Sequence, residues 1–216
     1  HRHDGGDLEL ASMTPDGAST AAELERSFRG TEVEYLDTLR GRELLLSCEG
    51  LSTVAYAALH GNTQRDLSSC QVASLSSLAL RKGARAQMTD VASAVLNDAQ
   101  SGSASDVQAV LRSLATQQLR EEKGLDFSFR GLGVDELSRL GRSVGLQVSS
   151  TELFEGAEHN ADAVDAFRRG ARGALGRTIV NFSRLQLDQQ KGGHHAVVVA
   201  YHPKEDLFLI DDPAGF

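Results

Sequence analysis

Six residues of this chain have the types and spacing for acyl-transfer chemistry: Gln64, Cys70, His194, His195, Asp211 and Asp212. A thiol is a useful nucleophile only as thiolate, so its ordinary pKa of ~8.5 must fall at neutral pH. "SSCQVASLSSLALRKG" reads as a helix with Ser68 or Ser69 as N-cap, and Val72, Leu75 and Ala79 fall at helical spacing with Leu78 on the flank. Gly83 stands where a C-cap belongs. Cys70 therefore sits in the first turn of a helix, where unpaired N–H groups and the macrodipole favour negative charge. Cys48, in "LLLSCEG", has no such placement. Taken alone, Cys70 reads as a small buried hydrophobe, so its partners decide the matter.

A cysteine hydrolase or acyltransferase also needs a base, a group that orients the base, and an oxyanion donor. "KGGHHAVVVAYHPKEDLFLIDD" supplies adjacent candidates, His194 or His195 as base and Asp211 or Asp212 as partner. Gln64, six residues before Cys70, lies on the approach to the helix, where its amide could donate to an oxyanion. Its plainer reading is a solvated loop glutamine. With "PKED" as a regular turn, residue i faces residue 409 − i, which puts Asp212 on the face of His195 and Asp211 on that of His194. One bulge reverses that choice.

The elements that must position these groups follow from pattern. Residues 1–19 are polar, lack periodicity and are expected to be poorly ordered; residues 20–216 suit one domain. "TAAELERSF" looks like a short capped helix, and "EVEYLDTLRGRELLL" continues in helical or irregular form to Leu46. "TVAYAALH" is apolar enough to pack against the rest. Residues 84–123 read as further helices split by the flexible "NDAQSGSASD". "GLGVDELSRLGRSVGLQVSS" reads as a helix stopped by Gly145 and then a short strand. "NADAVDAFRRGARGALG" is a helix capped by Asn160, and the strand "RTIVNFS" follows it. Helices first and a mostly antiparallel sheet last make the fold class α+β.

Composition bounds the function classes. The net charge of −8 argues against a general affinity for nucleic acid or anionic membranes. No apolar run approaches the ~18–20 residues of a membrane helix. Two cysteines make neither a disulfide scaffold nor a Cys-rich metal site. His1 and His3 fit an unordered terminus better than a metal site. The compartment stays open, a soluble protein being either cytoplasmic or exported after loss of a signal peptide, and so does the oligomeric state, a homodimer included.

Several blocks in order carry a resemblance. "RGRELLL" looks like an early "EGEKLLL"-type segment, and "TQRDLSSCQVASLSSLAL" is similar to a "TQ…yCGvAS…L" block. "GLGVDELSRLGRSVGLQV" matches "GMTLDELgRL…GvkV". "IVNFSRLQLDQQKGGHHAVVVAYHPKEDLFLIDDPA" looks like "iVNYlR…gQ…GGHxSPlaAYh…tDrFLilDva". Together they resemble the catalytic domain of phytochelatin synthases, the papain-like glutathione γ-glutamylcysteinyltransferases, from about Arg40 onward.

The resemblance implies Cys70 as nucleophile and Gln64 as oxyanion donor. It implies His194 as base, directly after Gly-Gly and seven residues before Tyr201, and Asp212, eighteen residues later, as its partner. His195 and Asp211 are then neighbours, and one strand of the hairpin must be irregular. Asn181 and Arg184, with Gly193, match the block around the γ-glutamyl group. The implied substrate is glutathione or a related γ-glutamyl thiol, cleaved through a thioester. No intrinsic cofactor is implied; heavy-metal ions act in the family as thiolates of the substrate. Gln71, Ala196, Val197 and Gly215 depart from the family pattern around the acyl pocket. The chain ends at Phe216, before the family's following "YPP" segment, so a truncated C-terminal end is expected. Likeness to single-domain bacterial relatives implies hydrolysis more than polymerisation. Two other readings remain at this stage: a papain-like peptidase or amidohydrolase with another substrate, and a catalytically weak binding module on the same scaffold.

Overall fold

The computed structural model describes residues 33–54, 63–64, 69–79, 104–149, 161–184 and 192–214. The expected helix at 20–28, the caps Ser68, Gly83 and Asn160, and most of "TVAYAALH" lie outside them. The described elements are helices α1 (Leu39–Leu46), α2 (Cys70–Ala79), α3 (Ala104–Lys123), α4 (Phe127–Arg130), α5 (Val134–Ser143) and α6 (Ala161–Gly173). Strands β1 (Thr178–Ser183), β2 (Gly193–His202) and β3 (Leu207–Asp211) follow. The strands form one antiparallel sheet in the order β1-β2-β3. The expected α+β class is the observed one. Among the described residues no helix is long and apolar enough to cross a membrane.

The first half builds its core from helix periodicity. Val107, Leu111, Ala115 and Leu119 recur every fourth residue along α3 and are fully or nearly buried. They pack with Val72, Leu75 and Ala79 of α2, Phe127 of α4, and Leu137 and Leu140 of α5. Leu111, Leu119, Phe127 and Leu140 are the large side chains among these that are fully buried. At a few kcal/mol for each large apolar group truncated, this cluster fixes where α2 lies.

α1 starts at a side-chain cap, with Thr38 Oγ1 accepting the Gly41 N–H at 2.9 Å. α5 ends in a left-handed glycine, Gly145 at φ 88°. The N–H of Gly145 donates to Arg142 O and that of Leu146 to Gly141 O, the paired bonds of a Schellman ending. The short strand expected next does not form over residues 146–149. The chain instead folds back along α5: Arg142 Nη1 donates to Val148 O at 3.3 Å, and Val148 Cγ2 fills the space beside Gly141. Its backbone is engaged by its own helix rather than by a sheet.

β2 is the middle strand and is buried along nine of its ten residues, with Gly193 the exception. α2 lies against it, Ser74 Oγ donating to His195 O at 3.1 Å. α6 covers the turn end of the hairpin, Phe167 edge-on to Phe208 and Arg172 over the Tyr201 ring. From the turn, the β2–β3 register is regular for three pairs: His202 with Leu207, Tyr201 with Phe208, Ala200 with Leu209. Val198 then pairs with Ile210 and Val197 with Asp211, leaving Val199 as an extra residue.

Candidate active site

α2 begins at Cys70, and Ser69 stands at the N-cap position, its carbonyl accepting the Ala73 N–H at 2.9 Å. The packed apolar face described above holds this helix end against the start of β2. Cys70 is 3% exposed. Burial alone would push its thiol up. The His194 side chain, the nearby ring and backbone N–H of His195, and the charge of His194 outweigh burial and pull it from 9.0 to about 6.

His194 enters from β2, opposite Phe182 of β1, whose ring it meets edge-on at 5.5 Å. Its Nε2 lies 2.6 Å from Asp212 Oδ1. Desolvation would lower the imidazole pKa, but bonds to Asp212 and Cys70 and the Asp212 charge carry it above its usual value. Burial would raise the Asp212 carboxyl. Its bond to His194, the His194 charge and the Ala214 N–H at 2.8 Å hold it below the usual range instead. A thiolate, an imidazolium and a carboxylate in sequence are the charge states this arrangement favours.

The bulge at Val199 decides which carboxylate meets His194. Without it Asp212 would share the face of His195; with it Asp212 comes to His194, and Asp211 opposes Val197. Burial and the neighbouring Asp212 charge raise the Asp211 carboxyl. The irregularity inferred from the resemblance is thus present.

Arg184 follows β1 and is 8% exposed, its N–H donating to Gly192 O at 2.9 Å. Its Nη2 lies 2.9 Å from His194 Nδ1 and 3.2 Å from Nε2. Burial lowers its pKa, while the charges of Asp212 and Cys70 oppose that. Asn181 is exposed on β1 and pairs with His195 in register, and its Oδ1 faces the Cα of Gly193. Gln64 is drawn to the acid end of the site, its N–H donating to Pro213 O at 2.7 Å. Every site residue expected from the sequence therefore lies at one end of the sheet around the start of α2.

Sequence reading missed two supports. Ser74, one helical turn after Cys70, ties α2 to the His195 carbonyl; the i, i+4 spacing of Cys70 and Ser74 was its only signal. Gln71, where the family pattern has glycine, is buried and donates from Nε2 to Leu132 O at 3.0 Å, linking the helix that carries Cys70 to the loop before α5. Ala196 and Val197 are core residues of β2, and Gly215 lies outside the described residues.

The family model described as phytochelatin synthase matches residues 31–216. A search of curated proteins finds no match to the chain. With the whole of the described sheet, helix α2 and the site residues inside the matched span, the chain belongs to the phytochelatin synthase family.

Proposed function

We propose that this protein cleaves glutathione at its Cys–Gly bond through a γ-glutamylcysteinyl thioester on Cys70, with hydrolysis favoured over transfer to a second thiol peptide. The observation that carries this reading is a thiol at a helix start, drawn to about 6 beside a buried imidazole that a carboxylate anchors at 2.6 Å. The family transfers γ-glutamylcysteine from glutathione, which supplies the substrate.

In this reading the residues 20–216 form one papain-like catalytic domain, the nucleophile on the helical half and base and acid on the sheet. The Cys70 thiolate attacks the cysteinyl carbonyl carbon, and Gln64 with backbone N–H groups at the start of α2 donates to the resulting oxyanion. The C–N bond breaks, the His194 imidazolium gives its proton to the departing glycine amine, and the thioester remains. With Nε2 engaged by Asp212, Nδ1, which Arg184 Nη2 also approaches at 2.9 Å, is the nitrogen that would pass this proton. Neutral His194 then takes a proton from water as it attacks the thioester. The C–S bond breaks, Cys70 leaves as thiolate, and γ-glutamylcysteine is released. An amine of a second thiol peptide in place of water would lengthen the chain.

Arg184, Asn181 and Gly193 would receive the γ-glutamyl group. A planar guanidinium suits a carboxylate because its fork pairs bidentately. Heavy-metal ions enter as thiolates of the substrate. The preference for hydrolysis draws support from the likeness of the chain to single-domain bacterial relatives, which tend toward hydrolysis of glutathione.

The test is product analysis of glutathione incubated with the protein and with Cys70→Ala, with and without cadmium. Free glycine and γ-glutamylcysteine from the wild type alone are the expected result. Oligomers of γ-glutamylcysteine as the main product would overturn the preference for hydrolysis. No glycine from folded protein would remove glutathione as substrate and shift the search to other amides.

A further inference from the structure

Among the described residues, His195 is the one buried titratable side chain beside Cys70 that the scheme above leaves idle. It is 4% exposed, and neither ring nitrogen has a hydrogen-bond partner. Burying both polar atoms of an imidazole without a partner costs on the order of 1–3 kcal/mol per group, so such a ring calls for an explanation. Its backbone position is fixed by the nucleophile helix itself. Ser74 Oγ donates to the His195 carbonyl at 3.1 Å, and Ser74 lies one turn above Cys70 on the same face of α2. That contact holds the start of α2 over residues 194 and 195 of β2.

We propose that His195 is a second imidazole of the nucleophile: its ring N–H donates to the Cys70 thiolate, alongside His194, through a contact that shortens when the sulfur is charged. The inference rests on Cys70 being the nucleophile and not on glutathione being the substrate. A thiol is a poor acceptor and a thiolate a good one, so a buried ring without a partner in the resting site gains one when the sulfur is charged. Both the ring and the backbone N–H of His195 act on the sulfur in the direction that favours its charge. The same donor would help the end of the cycle, because a better-solvated thiolate is a better leaving group when the thioester is resolved. The other titratable and charged groups around the sulfur are His194 on β2, Arg184 past β1 and Asp212 past β3, with Asp211 beside it.

The experiment is the pH dependence of Cys70 alkylation by iodoacetamide, read at the Cys70 peptide by mass, for wild type, His195→Phe and His195→Gln. The sulfur displaces iodide only as thiolate, so no substrate is involved and a failed glutathione assay leaves this test intact. Phenylalanine keeps ring volume without a donor; glutamine keeps a donor. The expected result is an alkylation rate at pH 6 about fivefold lower in His195→Phe, the population worth of one lost hydrogen bond, with the profiles meeting above pH 9. His195→Gln should recover part of the loss. Superimposable profiles for wild type and folded His195→Phe would overturn the proposal. If both variants unfold, ¹⁵N-labelled wild type decides: the His195 ring resonances should move when Cys70 is alkylated, and unmoved resonances would overturn it.

Discussion

Nε2 of His194 and Oδ1 of Asp212 lie 2.6 Å apart, and the same oxygen accepts the Ala214 N–H at 2.8 Å. The carboxylate is thus fixed by the backbone that follows it and in turn fixes one nitrogen of the imidazole. The other nitrogen, which Arg184 Nη2 approaches at 2.9 Å, is the one that the proposed reaction uses toward the thiol. Asp212→Asn keeps the shape but removes the charge and one orientation of the bond. Its kcat for glycine release should fall by roughly a hundred- to ten-thousand-fold. Asp211→Asn changes a residue opposite Val197 and should alter kcat by less than about threefold. Equal losses in the two variants would show that the bulge does not select the acid.

Activity should follow a bell in pH. The lower limb is the Cys70 thiol, at about 6: below it the nucleophile is protonated. The upper limb is His194, whose pKa is raised above 6.5: beyond it the imidazolium that protonates the leaving amine is lost. Alkylation of Cys70 needs only the first ionisation, so it should rise through about 6 and then level off. A thiol that titrates near its ordinary value in the alkylation profile would refute the ion pair. In Asp212→Asn the His194 limb should move down, because the bond and charge that raise it are gone.

The helix that carries Cys70 was legible because Val72, Leu75 and Ala79 repeat at its period, and the hairpin because two apolar runs flank "PKED". The pairing of His194 with Asp212 was not legible from strand alternation. It depends on Val199 standing out of register, where residues distant in the chain meet the strand. Gly176 donates its N–H to Val198 O at 2.6 Å, and Gly50 lets the Val199 carbonyl approach. Only the likeness of whole motif blocks carried that information. Residues 146–149 failed as a strand for the complementary reason: alternating apolar residues fit a strand, but their hydrogen bonds return to α5.

Gly50 gives a test of the bulge. It sits at φ 90°, and a Cβ there would come within 3.0 Å of the Val199 carbonyl oxygen and 2.8 Å of Leu175 Cδ1. Gly50→Ala combines left-handed strain with pressure on the bulge and should cost about 1–3 kcal/mol in a denaturant titration. Because the bulge aims Asp212, kcat should fall as well while the protein is still fully folded. A stability loss with unchanged kcat would mean that the acid is held by the Pro213–Gln64 contact instead.

Glu136 should govern how the fold responds to acid. Its side chain is buried, accepts the Gly133 N–H at 2.8 Å, and pairs with Lys123 and Arg130. Burial alone would raise its carboxyl; the Lys123 bond, the Gly133 N–H and Arg130 outweigh that and lower it from 4.5 to about 2. A folded pKa below the unfolded one stabilises above the unfolded value, and the gain is lost as pH falls through the folded value. Tm should therefore drop between about pH 4.5 and about pH 2. Glu136→Gln keeps an acceptor for Gly133 but turns an amide NH2 toward two cations. It should cost about 2 kcal/mol at pH 7, less than a fully buried pair because Lys123 and Arg130 are partly exposed. In that variant the acid-side slope of Tm should flatten. A slope equal to that of the wild type would place the acid sensitivity in another carboxylate, with Asp212, also held low, the first to examine.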